Sequence, residues 1–503
     1  MSEKNTVQQQ PFPEFIQHFK KTLKSVFYDR YSIEEFIQQR GFPPIVLRDI
    51  LATNPFSVGI PKEYGGRGAK VSECLGIMEA ASYESLPLSL TFGINIALFL
   101  EPTAKYAQDA TKKEVFNNFL TKKHMGGLMI TEPDFGSDAL SMQTSNVKVG
   151  NNYHIKGTKH WQGLTGMADY WIMTSRNKNV DGDLERDLDF FVVDIHDPNQ
   201  HIIVEEYYNN IGLYPIPYGK NKIDIHVPEQ NKLVPDSTGL KLMMDLLHRS
   251  RFQFSGMGMG FIHRMLDEAI KQTTERIVSG RSLFSLDQVK HQISRIQSAF
   301  TVASAMCFKS SQISGIENNL AGLGIEANSQ KAYITDLMQE SAQTLTQLCG
   351  ANGYKAENVG ARGIVDSRPF QIFEGSNEML YTQISEMVLK LMGRKKLPNL
   401  ADFIANYEPT KNIAEQFKNL LNFSVDASLQ QRKLVDLGKI ISRIITANDV
   451  VSLANKGFRS DLIDNCLETI KHEAATLVAS FQHKNTVIPV VDYKEKSSWL
   501  DFC

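Results

Sequence analysis

The sequence predicts a mainly α protein with a central β domain, an α+β arrangement, on three observations. Apolar residues recur three and four apart over residues 12–124 and again from Leu240 onward, the period of helices that bury one face. Between them, from about 126 to 236, short alternating or β-branched runs are separated by Gly, Asn, Asp and Pro, as strands joined by turns are. A chain of 503 residues exceeds what one ordinary core holds, so the changes of period mark domains.

Residues 1–124 form the N-terminal helical domain, with helical segments in "FPEFIQHFKKTLKSVF", "SIEEFIQQRG" and "KEVFNNFLTKK". The stretch "GIPKEYGGRGAK" (59–70) is a loop, because a proline and four glycines break the pattern. The uncharged run "SLPLSLTFGINIALFL" (85–100) is shorter than the ~20 residues a spanning helix needs and reads as a buried helix. Residues 125–236 form a β-barrel-like middle domain, with strands in "NYHIKGTKHW", "DYWIMTS", "LDFFVVDI", "HIIVEEYY" and "NKIDIHV". Residues 237–395 form a C-terminal helical bundle with long helices over 240–279, 287–320, 326–349 and 376–393. Residues 396–503 form an additional helical extension. Its segment "LVDLGKIISRIITANDVVSLA" (434–454) is amphipathic, which suits core packing and, as an alternative, a membrane-facing surface.

Composition excludes several classes. Fifty-four Lys and Arg against 56 Asp and Glu leave a formal charge of −2, with no global pull toward nucleic acid. Five scattered cysteines without a C-x-x-C pair indicate neither disulfides nor zinc and suit a reducing compartment. The N-terminus lacks a signal-type apolar core, so a cytoplasmic location is expected. No H-E-x-x-H or paired-ligand spacing occurs among the 12 histidines, so no metal is expected. "SGMGMGF" (255–261) imitates a dinucleotide fingerprint, but no strand precedes it and its period is helical; close helix packing explains its glycines.

Within "RPFQIFEGSNEML" (368–380), Glu374 stands between an apolar run and a glycine. An ionised carboxylate is costly to bury unless compensated. Two readings follow: a helix-start carboxylate favoured by the dipole of the helix opening near Ser376, or a reactive base whose pKa is raised by an apolar collar of Phe370, Ile372 and Phe373.

Four ordered segments carry a resemblance. "GLMITEPDFGSDALSMQTSNVKVGNNYHIKGTKHWQGLTGMADYWIM" (127–173) resembles the T-E-P-x-x-G-S-D, G-x-K-x-W and Ala-Asp signature of the acyl-CoA dehydrogenase family. "GIPKEYGGRG" is similar to its N-terminal loop, "QLCGANGY" (347–354) to its Q-x-x-G-G-x-G segment, and "IFEGSNEML" to the element that carries its catalytic base. The match spans about residues 55 to 395. It implies an FAD-dependent acyl-CoA dehydrogenase of fatty-acid β-oxidation that desaturates an acyl thioester at Cα–Cβ, with a carboxylate on one side of the substrate and flavin N5 on the other.

The resemblance makes Glu374 the base, with its backbone N–H on the thioester oxygen and Gly375 giving close backbone approach. It places Leu128, Ile130 and Thr131 on the flavin ring, Trp161 beside it, and Ser137 on flavin phosphate or pantetheine. Arg276 reaches the pyrophosphate of a neighbouring subunit's FAD, and Gln347, Gly350 and Gly353 its adenosine part; Arg251 and His248 line the acyl-CoA channel. Alone, Thr131 and Ser137 read as turn residues, while Trp161 reads equally as a strand aromatic, Arg276 as a solvated helix face and Arg251 as a surface ion pair. Departures touch the cofactor positions Gly163, Ser376 and Glu378, where the family carries Thr, Thr and Gln. His248 stands for an acidic residue and Tyr381 for an arginine.

The implied partners are an acyl-CoA or acyl-carrier thioester and an acceptor such as an electron-transfer flavoprotein. Alternatives are an oxidase that uses oxygen and a family member that binds nucleic acid. Residues 394–503, with 15 Lys/Arg and 13 Asp/Glu, offer little footprint for phosphates. The extension occupies surface that smaller members use to pair dimers, so a homodimer is expected.

Overall fold

The computed structural model describes residues 10–31, 40–136, 138–484 and 487–503. Most of the "SIEEFIQQRG" helix expected from the sequence lies outside them, as does Ser137.

The N-terminal part is helical: α1 (Phe12–Lys24), α2 (Pro44–Leu51), α3 (Val71–Glu84), α4 (Leu86–Asn95), α5 (Glu101–Tyr106) and α6 (Asp109–Thr121). In α1 the apolar positions Phe15, Phe19 and Leu23 are all buried, the one-faced burial that its spacing dictates. The apolar run is buried as expected: α4, a π-helical turn at Ile96–Leu100 and α5 make one continuous helix, Leu86–Tyr106, whose most apolar window is 94% buried inside the protein. Asn95 Oδ1 accepts the Gly126 amide at 2.7 Å, which ties this helix to the first strand.

Seven strands follow: β1 (Gly126–Met129), β2 (Ser145–Val149), β3 (Asn152–His160), β4 (Tyr170–Asn177), β5 (Asp189–Asp194), β6 (Ile203–Tyr207) and β7 (Gly219–Pro228). They form one sheet in the order β1-β4-β2-β3-β7-β6, with β5 on β4. Parallel pairing sets Leu128 opposite Ile172. β7 alternates buried and exposed residues along most of its length, as a strand with one wet face does.

The bundle consists of α7 (Gly239–Glu275), α8 (Asp287–Ile313), α9 (Gly324–Cys349), α10 (Val359–Ser367) and α11 (Asn377–Lys395). α7 ends at Glu275 instead of continuing to 279. Residues 277–282 make a hairpin of β8 (Ile277–Val278) and β9 (Arg281–Ser282), because Ser279 and Gly280 take positive φ (50° and 79°). The glycines of "SGMGMGF" do serve packing. A Cβ on Gly260 would lie 2.0 Å from the Glu79 carbonyl oxygen, and one on Gly258 would lie 2.4 Å from Ile334, so α3 and α9 approach α7 at those points.

The extension holds α12 (Leu400–Ala405), α13 (Ala414–Leu421), α14 (Gln431–Ala454) and α15 (Ser460–Gln482). One apolar core runs from α1 through the sheet and bundle into α14 and α15. Leu437, Ile440, Ile441, Ile444 and Ile445 of α14 are buried in it. Its amphipathic pattern is therefore core packing and not a membrane face.

Candidate active site

Glu374 sits in the tight segment between a 3-10 turn (Arg368–Gln371) and α11, with φ +52° followed by Gly375 at +94°. A positive φ is costly for a residue with a Cβ and persists only where its surroundings impose it. They do so here. Arg251 Nη2 of α7 donates to the Glu374 carbonyl at 2.8 Å, and Lys331 Nζ of α9 donates to the Gly375 carbonyl at 2.8 Å and to Asn377 Oδ1 at 3.1 Å. Arg251 is 5% exposed and its Nη1 is held by Asn328 Oδ1 at 2.6 Å, which removes the surface ion-pair reading. The helix-start reading of Glu374 also falls, since α11 begins at Asn377 and its first-turn acid is the exposed Glu378.

The side chain of Glu374 is held at one oxygen. Ser250 Oγ donates to Oε1 at 2.8 Å, while Oε2 is buried and meets no hydrogen-bond partner among the described residues. Burial raises the Glu374 pKa, against the opposing pull of the Arg251 guanidinium, the Ser250 hydrogen bond and Lys331. Lys331, fully buried, is pushed down by the same burial. Phe370 and Phe373, expected as the apolar collar, cluster with ring centroids 4.9 Å apart just before Glu374 in the chain, and Phe254, one helical turn from Ser250, joins them at 5.8 and 5.9 Å. Ile372 does not belong to it: its side chain is 55% exposed, because the 3-10 turn points it outward. Ser250, Lys331, Asn328 and Phe254 were not foreseen from the sequence.

From this loop a buried polar chain runs to the extension. Asn377 Nδ2 and Gln371 Nε2 donate to Asp336 Oδ1 at 2.7 and 2.8 Å. Tyr381 OH donates to Asp336 Oδ2 at 2.7 Å and accepts from Arg443 Nη1 at 3.2 Å. Arg443 also pairs with Glu473 at 3.2 Å and lies 3.9 Å above the Tyr333 ring.

The predicted flavin segments are brought side by side. The Thr131 carbonyl accepts the His160 amide at 3.0 Å and Gln162 Nε2 at 3.1 Å. Beneath them Lys159 Nζ, fully buried, bonds the Ile130 carbonyl at 3.0 Å and Glu132 Oε1 at 2.8 Å. Two motif letters taken only as signature, the Glu of T-E-P and the Lys of G-x-K-x-W, are thus a buried pair that fixes the segment. Trp161, 52% exposed at φ +63°, forms an aromatic shelf with Tyr208 and Tyr218, at centroid distances of 4.4 and 6.3 Å. Leu128 is half-buried on β1. At Gly163 a Cβ would stand 2.9 Å from Ile94 Cδ1, so a threonine there requires Ile94 to move.

Arg276 and the 347–354 segment form one exposed patch. Arg276 Nη1 is 3.5 Å from the Cys349 carbonyl, and a Cβ on Gly350 would lie 3.0 Å from it; Gln347 and Gly350 are exposed. Gly353 is buried against the Thr346 carbonyl, where a Cβ would come within 2.2 Å. Ser376 caps α11 through its backbone, its carbonyl accepting the Leu380 amide at 2.9 Å. His248 is 1% exposed, its Nδ1 hydrogen-bonded to the Leu320 carbonyl at 2.8 Å and its pKa lowered by burial to about 4. A separate cleft of about 910 Å³, including open solvent, is lined by Phe27, Tyr83, Tyr214, Arg264 and Asp366; among the described residues, none of the predicted site residues lines it.

Comparison with known proteins bears on the family and the fold. Family models for acyl-CoA dehydrogenase match as the N-terminal domain over residues 16–123, the middle domain over 127–224 and the C-terminal domain over 237–389. An acyl-CoA dehydrogenase of Bacillus subtilis is 23% identical over 353 residues, 69% of this chain and 90% of that one. A subunit of the caffeyl-CoA reductase–Etf complex of Acetobacterium woodii is 26% identical over 369 residues, 71% of this chain and 93% of that one. Among solved structures, an acyl-CoA dehydrogenase of Bacillus anthracis complexed with FAD superposes with a TM-score of 0.75 at 18% identity, covering 93% of this chain and 87% of its own. The three family domains, in order and spanning most of the chain, leave one conclusion: this chain belongs to the acyl-CoA dehydrogenase family.

Proposed function

We propose that the protein is an FAD-dependent acyl-CoA dehydrogenase in which Glu374 removes the α proton of an acyl thioester. The observation that carries this reading is the asymmetry of the Glu374 carboxylate. Oε1 is clamped by Ser250 and Oε2 is buried with no hydrogen-bond partner among the described residues, so one oxygen orients the group and the other is left for the proton. The apolar collar keeps water from the carboxylate and holds its pKa above the ordinary range, which makes it a stronger base once ionised.

Arg251, by holding the Glu374 carbonyl, fixes the Glu374–Gly375 peptide and so the turn from which the Glu374 N–H, in the preceding peptide, meets the thioester oxygen, where charge builds as the proton leaves. Gly375 keeps that approach open. The residues present suit FAD: an exposed indole at Trp161 flanked by tilted tyrosines, a backbone segment at 128–131 pinned against 160–162, and an arginine fork beside a glycine turn at 276 and 350. FAD, when bound, supplies the acceptor for the β hydride at N5. Trp161, Leu128, Ile130 and Thr131 hold the ring, and Arg276, Gln347, Gly350 and Gly353 serve the cofactor of a second subunit. An electron-transfer flavoprotein takes the electrons onward, a reading supported by the relative that is a subunit of an Etf complex.

The test is anaerobic titration of the yellow protein with a panel of acyl-CoA thioesters, followed at the flavin absorbance. Bleaching is expected with the wild type, and Glu374→Gln should keep its flavin yet bleach at least about a thousandfold more slowly. Reduction of that variant at the wild-type rate defeats the assignment.

A further inference from the structure

His124 follows the last N-terminal helix, Asp169 immediately precedes β4, and His196 lies in the turn after β5. They are 45 and 27 positions apart in the sequence, so the expectation of no metal, drawn from ligand spacing along the chain, did not consider them together. The fold gathers them. A ligand atom from each lies within 4.8 Å of the other two. The two imidazole rings are 4.9 Å apart at 31°. His196 Nε2 is 2.9 Å from Asp169 Oδ1, and Asp169 Oδ2 is anchored by the Met125 amide at 2.8 Å. His124 Nδ1 is buried without a hydrogen-bond partner among the described residues.

We propose that His124, Asp169 and His196 form a binding site for a borderline divalent transition-metal ion of the Zn²⁺ class. Two imidazoles and one carboxylate are the nitrogen and oxygen donors such ions take, at about 2.0–2.2 Å. Around a tetrahedral ion with those bond lengths, donors stand about 3.4 Å apart. The Asp169–His196 contact must therefore open by about half an ångström and the widest pair must close. His196 is 54% exposed and has the room to turn. The Met125 amide on Oδ2 leaves Oδ1 for the ion and orients the carboxylate, as an outer hydrogen bond does for a ligand. Exposure on the His196 side leaves a position for water. The site joins the end of the N-terminal helices to the sheet, and its occupation fastens that junction.

The experiment uses the tag-free, FAD-loaded full chain, stripped with EDTA and titrated with Zn²⁺ against a chromophoric chelator, with elemental analysis after dialysis. One equivalent of Zn²⁺ per chain is expected. His196→Ala, at an exposed position, should weaken binding by more than about tenfold, at least what loss of an outer partner alone costs. Zn²⁺ should raise the melting temperature of the wild type but not of that variant. His154→Ala is the control, since His154 stacks on His226 at 4.5 Å beside Asp224 and is the other histidine pair with a carboxylate; it should change nothing. Absence of Zn²⁺ uptake, uptake unaffected by His196→Ala, or uptake abolished by His154→Ala each overturns the proposal.

Discussion

At the scale of single residues, the Glu374 carboxylate is tuned by groups distant in sequence. Ser250 reaches Glu374 across 124 positions and Lys331 reaches Gly375 across 44. A carboxylate wedged between an apolar run and a glycine was legible locally; its partners were not, because a serine and a lysine on helical faces look like any others until the helices cross. The Ser250 hydrogen bond stabilises the ionised form and lowers the Glu374 pKa. Removing it in Ser250→Ala leaves burial less opposed. The acid limb of the rate–pH profile should move to higher pH by about one unit, since a hydrogen bond to a charged group is worth about 1.5 kcal/mol or more. Stopped-flow flavin reduction between pH 5 and 9 measures it, and an unmoved limb excludes the clamp. Gly163 shows the converse, a departure that declared itself in the sequence but whose cause, Ile94, is visible only in three dimensions.

At the scale of elements, long helices and well-patterned strands were readable because burial follows their period. Short ones were not: α10 carries two glycines, and the 277–282 hairpin sits where a helical pattern continues into a turn that Ser279 and Gly280 enforce. Within α14, polar residues enter the core. Arg443, 9% exposed, satisfies Glu473 and Tyr381 together. Arg443→Met keeps the bulk but leaves Glu473 with its Tyr333 hydroxyl bond at 3.0 Å and without the opposite charge, and should cost about 3 kcal/mol by denaturant titration; a loss below about 1 kcal/mol makes the network dispensable.

Asp449 of the same helix is 4% exposed and pushed by burial up to about 7. Its unfolded value is about 3.9. Between those values the folded chain binds more protons than the unfolded one, so this group's contribution makes stability fall as pH rises from about 4 to 7. Asp449→Asn, which cannot ionise, should therefore gain melting temperature on the wild type at pH 8 relative to pH 5. A constant difference across that range refutes the sign.

At the scale of the whole molecule, the exposed patch of Arg276, Gln347 and Gly350 lies at the end of long helices and suits service to a second subunit. The cofactor role proposed for this patch predicts a homodimer. Light scattering should return the mass of two chains, and Arg276→Ala should leave that mass unchanged while FAD is lost about ten- to a hundredfold more readily on dilution, the worth of a charge-assisted hydrogen bond. An arginine variant that retains FAD as well as the wild type removes the patch from the cofactor site. The extension was legible as helices but not as part of the same core, since its apolar stripes do not say which surface they cover.

That shared core has a consequence for biosynthesis. Tyr381 leaves the ribosome 62 residues ahead of Arg443, and Gly438 closes directly onto the Tyr381 backbone, where a Cβ would lie 2.1 Å from its carbonyl oxygen. Until α14 has been translated, the nascent bundle displays Ile384 and Val388 bare, and the anchor beneath residues 374–377 is missing its far end. Stable packing of α11, and with it of the loop before it, is therefore expected only after α14 has emerged, so α11 and α14 should gain protection together during refolding.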